Sequence, residues 1–140
     1  RPKIFWPEFT EQKSDFVSIE HIYPQQARHH YWNSRFDYLT QKQRRALKNS
    51  LGNLLPLSKP KNSSLSNKPF PGKVDSKGDP VVGYRYGCYA ENEVAKATDW
   101  TTQEILKRGI KMLGFMEKRW GLELGDDSQK KLMLGLDFMK

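Results

Sequence analysis

The sequence predicts an α+β fold, and three observations carry that prediction. Residues 16–22, FVSIEHI, are rich in β-branched side chains and alternate in character, as a strand does. Residues 51–58, LGNLLPLS, are a second short apolar run, entered through Gly52-Asn53 and interrupted by Pro56. The last third has helical spacing instead. A T-x-x-E capping box at Thr101–Glu104 opens it, and Leu106, Ile110, Leu113 and Trp120 follow along one face.

In chain order, residues 1–15 read as a polar lead-in with Phe5, Trp6 and Phe9. The first strand puts Ser18 and Glu20 on one side and Ile19 and His21 on the other, and Pro24 ends it. Residues 26–48 predict a helix with a loose stripe of Trp32, Phe36, Leu39 and Leu47. After the second strand, Ser58 reads as an N-cap with Pro60 in the first turn, starting a helix over 59–67 that carries Asn62. Three prolines and three glycines over 69–83 predict a loop. Residues 88–97 fit a short helix. Gly121 and Gly125 fit the stop of the long one, and 127–139 a last amphipathic piece with Leu132, Leu136 and Met139. These stripes predict core packing and carry no chemistry.

Composition excludes several classes. With 140 residues the chain suffices for one domain, 1–140, with a core over about 16–73 and a helical part over about 88–140. Aromatic residues at 12% argue against a disordered tail. No apolar run approaches the roughly 18 residues of a membrane span. The opening lacks the basic-then-apolar pattern of a signal peptide, and Arg1 in place of Met predicts a fragment of a larger protein. The single cysteine, Cys88, builds neither a disulfide framework nor a four-cysteine zinc site. It reads as a small buried packing residue in a reducing cytoplasm. Net charge is +8, and it is unevenly spread. Residues 1–73 hold 13 Lys/Arg against 5 Asp/Glu, whereas residues 74–140 hold 11 of each. A surface with that excess suits a polyanion.

The same basic half holds a set of residues with chemical meaning. Hydrolysis of a phosphodiester needs a base for water, a cation against the charge developing on phosphorus and the departing 3′ oxygen, and something to orient the base. His21 suits the base, since imidazole is largely neutral at cytoplasmic pH. Glu20 and Asn62 supply the hard oxygens that Mg²⁺ prefers. Neighbours on a strand point to opposite faces, so Glu20 and His21 share one site only where the strand twists, bulges or ends. His29 and His30 are a poor chelate, because adjacent helical residues point about 100° apart. They read as surface residues or DNA contacts. Lys42, Arg44, Arg45, Lys48, Lys59, Lys61 and Lys68 bracket the proposed site, which points to phosphate contacts, with Arg44, Arg45, Lys59, Lys61 and Lys68 as the candidate DNA-binding set.

E-H-I-x-P at 20–24, G-N-L-x-x-L at 52–57 and K-N at 61–62 resemble the HNH branch of the His-Me finger, or ββα-metal, nucleases. The pattern is similar above all to the C-terminal nuclease domain of GmrSD-type restriction proteins. It shares with them S-N-x-x-F-x-x-K (Ser66, Asn67, Phe70, Lys73) and W-T-x-x-x-I-x-x-R (Trp100, Thr101, Ile105, Arg108). The resemblance runs from about residue 16 to residue 120. It implies a ββα-metal core with the 26–48 segment inserted and the C-terminal helices packed around it. His21 would be the general base, and Glu20 and Asn62 the ligands of Mg²⁺ or Mn²⁺. Asn53 would fix the loop and orient the His21 ring, and Lys73 would contact phosphate or offset transition-state charge. It further implies DNA cleavage, a ParB-like NTPase domain N-terminal to this one, and a role in restriction of phage DNA. Three other readings remain open at this point: a catalytically silent DNA-binding domain of the same fold, a partner-docking domain, and an RNA substrate.

Overall fold

Ser18–His21 (β1) pairs antiparallel with Leu54–Leu57 (β2), placing Ser18 opposite Leu57 and His21 opposite Leu54. The computed structural model describes residues 17–78 and 81–140. The lead-in over 1–15, Phe16 and Pro80 lie outside them. Among the described residues the sheet has these two strands. Each therefore keeps a free edge, which is where a proline such as Pro56 is tolerated. The alternation expected for β1 is present, but it inverts the usual chemistry. Glu20 is 2% exposed, whereas Ile19 on the opposite face is 53% exposed. A buried acid demands partners, and the rest of the fold supplies them.

The segment expected as one helix over 26–48 is two: His30–Phe36 (α1) and Gln41–Asn49 (α2). The break has a local cause. Thr40 caps α2 through a capping box with Gln43, and a box of that kind starts a helix rather than continuing one. His29 likewise caps α1, its Nδ1 accepting from Tyr31 N at 3.0 Å. The bond gives a local structural role to a residue that is otherwise exposed at the surface. Trp32, Phe36 and Leu47 are buried as expected. Tyr23 stacks on Phe36, with ring centroids 3.8 Å apart, and so ties the chain after β1 to α1.

A single 3₁₀ turn, Leu51–Asn53, leads into β2. Lys59–Leu65 (α3) follows with the predicted Ser58 cap and early proline. Part of the predicted 69–83 loop is a short helix, Phe70–Val74 (α4), with Pro71 in its first turn. Proline there costs no hydrogen bond, so its presence does not argue against a helix. Tyr89–Ala95 (α5), Thr102–Trp120 (α6) and Asp127–Met133 (α7) complete the fold, the last through an Asp126–Gln129 capping box.

One buried cluster runs from Ile22 through Trp32, Leu55, Phe70 and Ile105 to Leu136. Three expectations about it need correction. Trp120 is 60% exposed and Leu132 63%, because each sits where its helix runs past the core. Cys88 is exposed, at the cap of α5, rather than buried. No helix among the described residues is long and apolar enough to cross a membrane.

Candidate active site

His21 is the last residue of β1 and is half-buried. Burial pushes its imidazole below the usual 6.5. A hydrogen bond to the Asn49 side chain opposes this, and the nearby Lys73 and Lys48 lower it further. The ring is therefore neutral at pH 7, the state a proton acceptor needs.

The three groups behind His21 form a buried charged unit. Glu20 Oε2 accepts from the Tyr84 hydroxyl at 2.8 Å and lies 3.3 Å from Lys73 Nζ. Lys73 Nζ also donates to the main-chain oxygen of His21 at 2.9 Å. Burial pushes Glu20 up, against the pull of Lys73 and Tyr84, with Glu91 adding to the rise. Burial pushes Lys73 down to about 8, against the attraction of Glu20. The expectation that Lys73 contacts phosphate is corrected by this placement. Its side chain is 0% exposed, and α4 drives it into the fold beneath His21.

Asn53 is completely buried and all its polar atoms are in use. Oδ1 accepts from Tyr23 N at 2.8 Å and from Trp100 Nε1 at 3.1 Å. Nδ2 donates to the oxygens of Tyr23 at 3.0 Å and Lys48 at 2.9 Å. Its own main-chain oxygen takes Ile22 N at 3.0 Å. Asn53 thus holds the backbone immediately after His21 and has no polar atom left for the His21 ring. Its φ is not positive, so a left-handed turn is not the reason for an asparagine here.

Asn62, on α3, donates from Nδ2 to Ser18 Oγ at 2.8 Å and to Ile19 O at 3.2 Å. It locks α3 onto β1 and leaves Oδ1 as its candidate ligand atom. The family's divalent ion can be tested against this donor set. Glu20 is the only carboxylate among the residues named for the site, and its charge is already matched by the Lys73 ammonium. As placed, the Glu20 carboxylate faces Lys73 and Tyr84, and the Asn62 amide nitrogen faces Ser18 and Ile19.

The candidate DNA-binding residues divide in two. Arg44 and Arg45 line an open cleft of about 580 Å³ together with Arg28, Lys48 and Asn49. The α3 side differs. Lys59 is exposed, Lys61 is held in close ion pairing by Glu91, and half-buried Lys68 offers its main-chain oxygen to Trp32 Nε1 at 3.0 Å. Asn49 and Tyr84 were not singled out from sequence. The only signal for Tyr84 was indirect: an acid on a buried strand face needs a donor, and the sequence does not say which.

The quoted motifs meet in space. Trp100 bonds Asn53 and stacks on Phe70 with centroids 5.3 Å apart. Asn67 donates to Gln26 O at 3.2 Å. Arg108 NH1 donates to the oxygens of Gly52 at 2.9 Å and Leu54 at 2.7 Å. A family model spans all four motifs, matching residues 6–115. By that match this α+β fold is a restriction-endonuclease-related domain. The chain belongs to the family of GmrSD restriction endonucleases, C-terminal domain. No curated protein and no solved structure matches it.

Proposed function

We propose that this domain is an endonuclease module that hydrolyses DNA phosphodiesters, with His21 as general base. The observation that carries the reading is a neutral, half-exposed imidazole beside a cleft lined by cations. Water attacks phosphorus as its proton passes to the His21 ring. The P–O3′ bond breaks, and the 3′ oxygen leaves, taking a proton from solvent. Lys73 holds the carbonyl of His21 and Asn53 holds the two residues after it, so both are positioning residues. The order β1, β2, α3, with His21 ending β1 and Asn62 on α3, supports the HNH assignment. Family membership supports a place in a restriction protein, with a partner NTPase domain N-terminal to this one and action in the cytoplasm.

A divalent ion, Mg²⁺ or Mn²⁺, would supply charge stabilisation at the phosphate. For Glu20 and Asn62 to hold it, the ion must displace Lys73 from the carboxylate. That requirement favours one rival reading, a DNA-binding domain with a silent site.

Plasmid nicking with Mg²⁺ separates the two. The wild type should nick and His21→Ala should not, while DNA retention is unchanged. The acid limb of the rate profile should fall below pH 6.5, because activity is lost only as the lowered His21 pKa is passed. Mn²⁺ binding followed by electron paramagnetic resonance should be lost in both Glu20→Gln and Asn62→Ala. Undiminished binding in Glu20→Gln would end the ligand role of Glu20. Absence of nicking by the wild type would leave the silent-site reading.

A further inference from the structure

We propose that the cleft beside His21 is a subsite for the backbone phosphates that flank the scissile one on a DNA strand. The inference rests on the nuclease reading for its orientation but on separate observations for its chemistry. The cleft, of about 580 Å³, lies between the loop after β1 and the α2 helix, and that volume is typical of ligand sites. Arg28, Arg44, Arg45 and Lys48 line it, against one acid, Asp37. Four positive charges less one negative leave a local net of +3.

Elsewhere Arg35, Lys61, Lys73, Arg85, Lys96 and Lys130 each have a carboxylate partner. Among the described residues none of the four cleft cations has one. Exposed cations such as Lys59, Lys118 and Arg119 also lack a carboxylate partner among the described residues, so what distinguishes the cleft is that four cations share one lining. Lys48 Nζ donates to a neutral acceptor, Gln25 O, at 3.0 Å, which leaves two of its protons free. Arg44 donates to Leu39 O. Arg28 and Arg45 are exposed. Arg44 and Arg45 crowd Lys48 closely enough to help lower its pKa, after burial. Like charges held together without a counter-ion are stabilised by an anion from outside.

The remaining lining fits the same ligand. Gln25, Gln26 and Gln41 offer amide N–H groups, the neutral donors that phosphate and sugar oxygens accept. Asn49 and Lys48 both line the cleft and lie near enough to the His21 ring to shift its pKa, Asn49 upward and Lys48 downward. A strand lying in the cleft would pass close to the proposed base. An isolated small anion would not need such a length of cationic wall.

The test is binding of labelled DNA and RNA oligonucleotides by the His21→Ala protein, followed by fluorescence anisotropy across a salt series. Arg28→Gln/Arg45→Gln removes two exposed cleft charges. Lys118→Gln/Arg119→Gln removes two exposed charges at the far end of α6 and serves as the control. The cleft pair should weaken DNA binding about tenfold or more near physiological salt and reduce the salt slope by about two. The control should stay within about twofold. Equal losses in both pairs, no loss in the cleft pair, or no binding by the parent protein would each overturn the subsite. Selective loss on RNA but not DNA would overturn its assignment to DNA. If the cleft pair fails to fold, as circular dichroism would show, Arg45→Gln alone should give half the slope change. Should the wild type bind through the cleft yet never nick plasmid, the subsite stands and the nuclease reading falls.

Discussion

Lys73 is the residue through which the site and the fold are joined. Its ammonium neutralises Glu20 and holds the carbonyl of His21, so removing it leaves a buried carboxylate with only Tyr84 for support. Breaking a buried pair from one side typically costs about 3–5 kcal/mol. Lys73→Met should destabilise the domain by that amount at pH 7, measured by urea unfolding. The pH dependence follows from Glu20, whose pKa is already raised. Without Lys73 it rises further, so the folded variant holds a proton that the unfolded chain releases, and stability falls as pH rises through that window. The deficit should therefore shrink as pH is brought down toward 4.5, the ordinary value for the acid. A deficit equal at both pH values would mean that Glu20 does not depend on Lys73. His21, Glu20 and Lys73 were each recognisable by residue type and spacing. Their division into a half-buried histidine and a fully buried pair was not, because burial depends on what α4 and Tyr84 bring across the chain.

The docking of α6 turns on backbone contact. A Cβ at Gly52 would lie 1.9 Å from Ile105 O and 2.7 Å from Gly109 N. Both obstacles are main chain and cannot rotate away. Gly52-Asn53 reads in sequence as a turn. In the fold Gly52 is instead the point where the 3₁₀ segment touches α6, with Arg108 bonding the carbonyls on either side of Asn53. Gly52→Ala should cost about 3 kcal/mol through overpacking. Gly114, on the same helix, has nothing within 4 Å of its added Cβ. Gly114→Ala should instead raise stability by about 0.5–1 kcal/mol, the helical preference for alanine. Thermal unfolding of the two variants checks both signs, and a harmless Gly52→Ala would refute the close approach. Among the other elements, caps decided where reading succeeded. Ser58 and Thr101 marked their helices. The Thr40–Gln43 box was equally visible, yet the apolar stripe running across it suggested one continuous helix.

Beyond the family match, which ends at residue 115, the chain still contributes to the core. Leu136 is fully buried and Leu134 is 7% exposed, and Ser50 Oγ donates to Leu134 O at 2.9 Å. Truncation after Gly125 should therefore lower stability by about 3–6 kcal/mol, the transfer of two leucines at about 1.5–3 each. Chemical denaturation of the shortened chain measures it, and unchanged stability would show that α7 is dispensable. Sequence alone determined the α+β class, the order of the two strands, the capped helices after Ser58 and Thr101 and the excess charge of the first half, since periodicity, capping and spacing are properties of neighbours along the chain. Only the tertiary structure decided that Glu20 faces Lys73 while His21 stays half-buried, and that four cations without a carboxylate partner among the described residues border one cleft. Those outcomes depend on which distant groups share a desolvated space, and the electrostatic cost of leaving any buried charge alone chose among them.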